Sequence, residues 1–185
     1  MKIAYIVFNE ITLLDFIGIY DPISRLRNMN YIPNLVWDIC SFTEIVKDSF
    51  GLEIKPNKIK NDLSEYDAII IPGGFGTRDL QLNEEFINWI KTSEKTKYKI
   101  SICTGSLILG ASGFLNGKKA TTNFQEYENL KKYCAEVVKD RIVEDGNIIT
   151  SGAVSASLDL GLYLCEKWCG KEAENEIRKK MDYLC

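Results

Sequence analysis

Histidine is absent from all 185 residues. Imidazole is the commonest general base near neutral pH and the commonest ligand of protein-bound metals, so a Cys–His pair and a histidine-based metal centre are both excluded. No apolar run approaches the roughly 18 residues that a membrane helix needs. The opening run, Met1 to Phe8, meets Asn9 and Glu10 at once; it reads as a first strand and is too short for a signal segment. Positive charge is not in excess either: 23 Lys and Arg stand against 26 Asp and Glu, a net charge of -3. That argues against nucleic acid as a partner, because phosphate binding needs a clustered basic surface. Internal repeats, linkers and low-complexity stretches are also missing, so residues 1–185 read as a single domain expected in the cytoplasm, with no membrane partner.

Six cysteines are present: Cys40, Cys103, Cys134, Cys165, Cys169 and Cys185. Without an export signal they are expected to stay reduced. Cys165 and Cys169 fall on one face of a predicted helix, but no second pair at ligand spacing accompanies them, so they read as packed thiols and no metal site is predicted.

Short, continuous, β-branched apolar runs mark strands buried on both faces. They occur at 3–8, 35–42, 68–71 and 98–103, with a further short strand near 147–150. Helical patterns lie between and after them at 13–29, 84–93, 105–111, 124–133 and 154–169, and a charged helix ends the chain. This alternation predicts an α/β fold, a doubly wound, flavodoxin-like, mostly parallel sheet flanked by helices. Two hairpins are predicted: one over 44–57 turning at Phe50-Gly51, placed at the sheet edge, and one turning at Asp145-Gly146.

In such sheets ligands bind outside the carboxyl ends of the strands, and three segments fall there. Leu14-Asp15-Phe16-Ile17-Gly18 follows the first strand; on residue type alone Asp15 also reads as a first-turn helix acid. Ile71-Pro72-Gly73-Gly74-Phe75-Gly76 follows a wholly apolar strand. Its glycines make a turn, and their N–H groups are candidates for holding an oxyanion or substrate, as is the backbone at Gly105. Ser101-Ile102-Cys103-Thr104-Gly105-Ser106 passes straight from strand to helix with small neighbours, the form of a nucleophile elbow. A buried inert thiol is the ordinary fate of a cysteine, but the strand-end position favours a nucleophile, and the helix N-terminus is expected to lower the Cys103 pKa.

These segments, in this order and spacing, resemble the ThiJ/PfpI superfamily of the class I glutamine amidotransferase-like fold. The likeness continues through Leu107-Ile108-Leu109-Gly110, Gly113-Phe114-Leu115, Gly117-Lys118-Lys119-Ala120-Thr121-Thr122, Asp145-Gly146 to Gly152, and Val154 to Asp159, and so spans nearly the whole chain. Within the superfamily it is nearest the isonitrile hydratase-like branch. The resemblance implies a catalytic set of Cys103, Asp15 and Thr104, a small-molecule substrate, no cofactor and a homodimer. It implies hydration of an isonitrile to an N-substituted formamide. A glyoxalase III-like hydrolyase acting on methylglyoxal, and a redox or small-molecule sensor built on Cys103, are the alternatives. One departure is evident: where related sequences often carry His after Ala-Thr-Thr, this chain has Asn123.

Overall fold

The computed structural model describes residues 1–184; Cys185 lies outside the described residues. In chain order its elements are β1 (Lys2–Val7), α1 (Leu13–Asn28), β2 (Val36–Ser41), β3 (Val46–Lys47), β4 (Glu53–Ile54), β5 (Lys58–Ile59), β6 (Ala68–Ile71), α2 (Thr77–Leu80), α3 (Glu84–Lys91), β7 (Tyr98–Ile102) and α4 (Gly105–Ala111). There follow β8 (Lys119–Ala120), α5 (Tyr127–Leu130), β9 (Glu136–Val137), β10 (Ile142–Asp145), β11 (Ile148–Ser151), α6 (Ala156–Cys169) and α7 (Lys171–Lys180).

Seven strands form the central sheet in the order β10-β11-β7-β6-β1-β2-β5. All neighbours run parallel except β10 against β11. Helices flank the sheet, which is why β6 reads Ala-Ile-Ile-Ile with every residue buried: a strand covered on both faces needs apolar side chains on both. The chain runs outward from β1 through β2 to β5, then returns to the other side of β1 to lay down β6 and β7. The order therefore reverses between β1 and β6, and the three segments that carry candidate chemistry all leave the sheet around that point.

Two helices are fixed by close approach. A Cβ at Gly18 in α1 would stand 2.1 Å from Ser157 Oγ, and one at Gly161 in α6 would stand 2.8 Å from Pro22 Cγ. Ser157 Oγ also donates to the Leu14 carbonyl at 3.1 Å. The helix that bears Asp15 is thus pinned against α6 and cannot slide.

The predicted elements form, with three differences. The 44–57 hairpin makes its own two-stranded ribbon, β3 with β4, and the strand on that edge of the main sheet is β5, which follows the ribbon. Asp48 holds the ribbon's turn, accepting from the Phe50 and Leu52 N–H groups at 2.8 Å each. The second hairpin does edge the main sheet, but its loop is Gly146-Asn147, with Asp145 still paired to Ile148 and Gly146 at φ +67°. Finally, 124–133 is a 3₁₀ turn (Phe124–Glu126) running into the one-turn α5 rather than a continuous helix. None of the described helices is long and apolar enough to cross a membrane.

Candidate active site

Cys103 sits one residue past β7 and one before the Thr104 cap of α4, with φ +52°. A non-glycine residue is strained there by about 1–3 kcal/mol, and the surroundings fix the conformation. The Cys103 N–H points at the Ser151 and Gly152 carbonyls, at 3.1 and 2.9 Å. Its carbonyl accepts from Thr122 Oγ1 at 2.9 Å and Ser106 Oγ at 3.1 Å. Gly105 lets the helix start this close to β6, since a Cβ there would lie 2.1 Å from the Ile71 carbonyl oxygen. Gly105 thus acts by close approach.

Asp15 lies in the first turn of α1 but does not cap it. Its side chain turns inward, wholly buried, and Oδ2 accepts from the Gly73 N–H at 2.8 Å across the site. Oδ1 is buried without a hydrogen-bond partner. The Cys103 thiol is the carboxyl's other polar neighbour. How tightly the groups converge is visible at Gly73, where a Cβ would stand 2.8 Å from Asp15 Oδ2, 2.8 Å from Cys103 Cβ and 2.7 Å from Thr104 N.

The electrostatics follow from that burial. A carboxylate without water around it is disfavoured, so the Asp15 pKa rises from 3.8 to about 7 despite the opposing pull of the Gly73 N–H and the Cys103 thiol. Burial also pushes the Cys103 thiol up, and the Asp15 charge pushes it further, to about 11. The expected lowering by the helix N-terminus does not prevail. The Asn123 amide and the Thr104 N–H and hydroxyl pull in that direction, but α4 is only seven residues long, and burial of the sulfur, with the Asp15 charge added, outweighs them.

The expectation of free backbone donors at Gly73 and Gly74 is also corrected. Gly73 N–H is taken by Asp15 Oδ2, and Gly74 N–H by Thr104 Oγ1 at 3.0 Å. The Thr104 hydroxyl in turn lies 3.1 Å from the Gly74 carbonyl. Gly74 has φ +146°, and its neighbour Glu10 O would be 2.2 Å from a Cβ. These glycines therefore let the β6 loop press against the β1 loop and the elbow, and their N–H groups are spent on Asp15 and Thr104.

A cavity of about 180 Å³ opens over Cys103 and Thr104, walled by Thr12, Phe75, Arg78, Asn123, Gln125 and Val154 among others. Asn123 Nδ2 donates to Cys103 Sγ at 3.5 Å. Arg78 pairs with the buried Glu126 at 2.7 Å and lies 5.0 Å over the Phe75 ring. Arg78 and Gln125 escape sequence reasoning because single polar residues in short turns carry no pattern; Asn123 was marked only by the residue it replaces. Among the described residues no three Cys, Asp or Glu side chains stand together as metal ligands would, and the described cysteines are all free thiols.

The DJ-1/PfpI family profile matches residues 1–167. An isonitrile hydratase from Pseudomonas putida is 34% identical over 185 residues, covering 99% of this chain and 78% of that protein. A solved ThiJ/PfpI family protein from Pseudomonas syringae superposes with a TM-score of 0.90 at 26% identity, over 100% of this chain and 75% of that one. Drosophila melanogaster DJ-1beta superposes with a TM-score of 0.82 at 22% identity, over 97% of this chain and 96% of its own, a likeness of fold. The buried acid beside a strained elbow cysteine thus lies within a chain that belongs to the DJ-1/PfpI family.

Proposed function

We propose that this protein hydrates small isonitriles to N-substituted formamides, with Cys103 as nucleophile and Asp15 as the proton carrier. The observation that carries the reading is the Asp15 carboxyl: wholly buried, titrating near 7, one oxygen unpartnered, and set against the thiol in a chain with no histidine. The likeness to the Pseudomonas putida isonitrile hydratase supports the choice of substrate.

An isonitrile, R–N≡C, accepts a nucleophile at its terminal carbon only if that carbon also gains a proton. The resting proton belongs to sulfur, because the thiol holds it to about 11 and the carboxyl only to about 7. As Cys103 Sγ bonds to the carbon, Asp15 takes the thiol proton and passes it to the same carbon, giving the thioimidate R–N=CH–S–Cys103. The restored carboxylate then takes a proton from water while the oxygen adds to that carbon, and the proton goes to nitrogen. Breaking of the C–S bond, as the added hydroxyl gives its proton through Asp15 to the departing sulfur, releases R–NH–CHO and returns the thiol. Water is the only co-reactant.

Thr104 is a positioning residue in this scheme, since its hydroxyl holds Gly74 and its amide faces the sulfur. A cavity of about 180 Å³ is smaller than the roughly 300 Å³ and above typical of drug-sized ligands, which suits a small substrate whose substituent reaches past Phe75. The reading includes a cytoplasmic homodimer, with Leu14 and Ile17 half-exposed on α1 as candidate contacts; light scattering reads the assembly.

The test is incubation with a simple alkyl isonitrile, following loss of the N≡C stretch and growth of the formamide, with intact mass to find the Cys103 adduct and methylglyoxal as the comparison. Formamide production that needs Cys103 supports the proposal. Turnover of methylglyoxal alone, or peroxide-sensitive labelling of Cys103 with no turnover of either compound, overturns it.

A further inference from the structure

We infer that Asn123 is a catalytic residue, the neutral donor that binds the Cys103 sulfur and holds it for attack in this histidine-free site. The inference rests on the proposed role of Cys103 as nucleophile and does not depend on which substrate is attacked.

The amide cannot be turned either way at will. Asn123 Oδ1 accepts from the Gln125 N–H at 3.0 Å, capping the 3₁₀ turn that follows. An amide with its oxygen claimed by a backbone donor must present its NH₂ on the other side, and there Nδ2 meets Cys103 Sγ at 3.5 Å. Nδ2 has no other partner among the described residues, so one N–H holds sulfur and the second is left for the cavity that Asn123 helps to wall. The cap thus fixes the donor's direction without consuming it.

Every charged group around the sulfur leaves this donor a distinct task. Asp15, from α1, raises the energy of a thiolate. Arg78, from α2, walls the same cavity, but its guanidinium is paired with the buried Glu126. Asn123 and Thr104 are therefore the neutral groups that favour the anion as the proton leaves, and of the two only Asn123 brings a side-chain donor from a separate segment of the chain. A histidine in this place would change its charge near neutral pH; an amide does not titrate, so the donor acts alike at every working pH.

The variant that separates donating from capping is Asn123→Asp, because Asp caps a helical turn as well as Asn does but offers sulfur an anion in place of an N–H. Cys103 ionisation is read from its alkylation rate by iodoacetamide against pH, with Cys103→Ser subtracting the other thiols; no substrate is involved. The Cys103 transition is expected to move up by about one unit or more, with the thermal midpoint near the parental value, and kcat to fall about tenfold or more while KM changes little. Asn123→Ser, which also caps but ends short of the sulfur, is expected to shift the transition upward by less, and it serves alone should the carboxylate disrupt the fold. An unmoved transition in a folded variant of either kind overturns the inference and leaves Asn123 a capping residue.

Discussion

The Gly73 amide donates to Asp15 Oδ2 at 2.8 Å, joining the first turn of α1 to the loop after β6. That single bond holds the carboxyl in a dry site without neutralising it, which makes Asp15 a liability to the fold. The folded-state pKa is raised, so between 3.8 and about 7 the folded protein holds a proton that the unfolded chain has released. Its contribution to stability is full below the unfolded value and is lost as pH rises through about 7. Asp15→Asn keeps the acceptor for Gly73 and removes the charge. It should therefore stabilise the protein at pH 8, by on the order of 2–4 kcal/mol in urea denaturation, and do little at pH 4.

The same variant should lose turnover. With the neighbouring charge gone, the Cys103 thiolate should form at lower pH, yet an amide can neither carry the proton to the isonitrile carbon nor take one from water. Near-parental rates in Asp15→Asn would mean that the proton travels by another route.

In the parent, kcat/KM should rise with pH through a transition near 7, as Asp15 becomes able to accept the thiol proton. The rise belongs to the coupled pair and should be missing from Asp15→Asn. A rate profile flat from pH 5 to 9 would contradict the proton-carrier role.

Cys103→Ser should abolish turnover and leave the fold intact, because an alcohol beside so weak a base stays protonated. Cys40 and Cys165 are buried and their thiols are pushed up by burial, and Cys134 and Cys169 lie away from the cavity wall. Replacing any of these four by Ala or Ser should leave the chemistry unchanged, with a loss of stability at the buried pair. Loss of activity in one of them, with the melting transition preserved, would relocate the nucleophile.

Two glycines beside the site should fail differently. Gly105→Ala sets a methyl group against the Ile71 and Pro72 carbonyl oxygens at 2.1 and 2.7 Å, rigid backbone on both sides, and should cost about 3 kcal/mol or more. Gly73→Ala meets Thr104 N and Cys103 Cβ, both fixed to the elbow backbone, and Asp15 Oδ2, which can swing aside. Its larger effect should fall on kcat, because the displaced group is a reacting one. Denaturation and steady-state kinetics on both variants separate the outcomes.

The parallel sheet, its order of helices and the three strand-end segments could be read from the sequence because buried strands and tight turns leave strong local marks. Cys103, Asp15 and Thr104 were legible on those grounds with the family resemblance. Hydrogen-bond ownership was not. Gly73 and Gly74 look like open oxyanion donors from composition, and only the fold reveals that Asp15 and Thr104 already hold them. The Cys103 acidity differs from expectation for a related reason: a helix start is visible in sequence, whereas the depth to which the folded chain buries the sulfur beside Asp15 is not. Arg78 and Glu126 meet across 48 positions in two one-turn elements, too far apart for any periodic signal.

The elbow's N–H is claimed by the Ser151 and Gly152 carbonyls, and Asp15's helix is pinned by Ser157 and Gly161 of α6. Both restraints come from residues 151–161, well after Cys103 in the chain. A polypeptide still emerging from the ribosome would carry Asp15, the glycine loop and Cys103 long before it carried the residues that strain one and bury the other. Until those arrive, the acid stays wet and ordinary and the thiol unpaired, so the reactive pair is assembled only once α6 has been made.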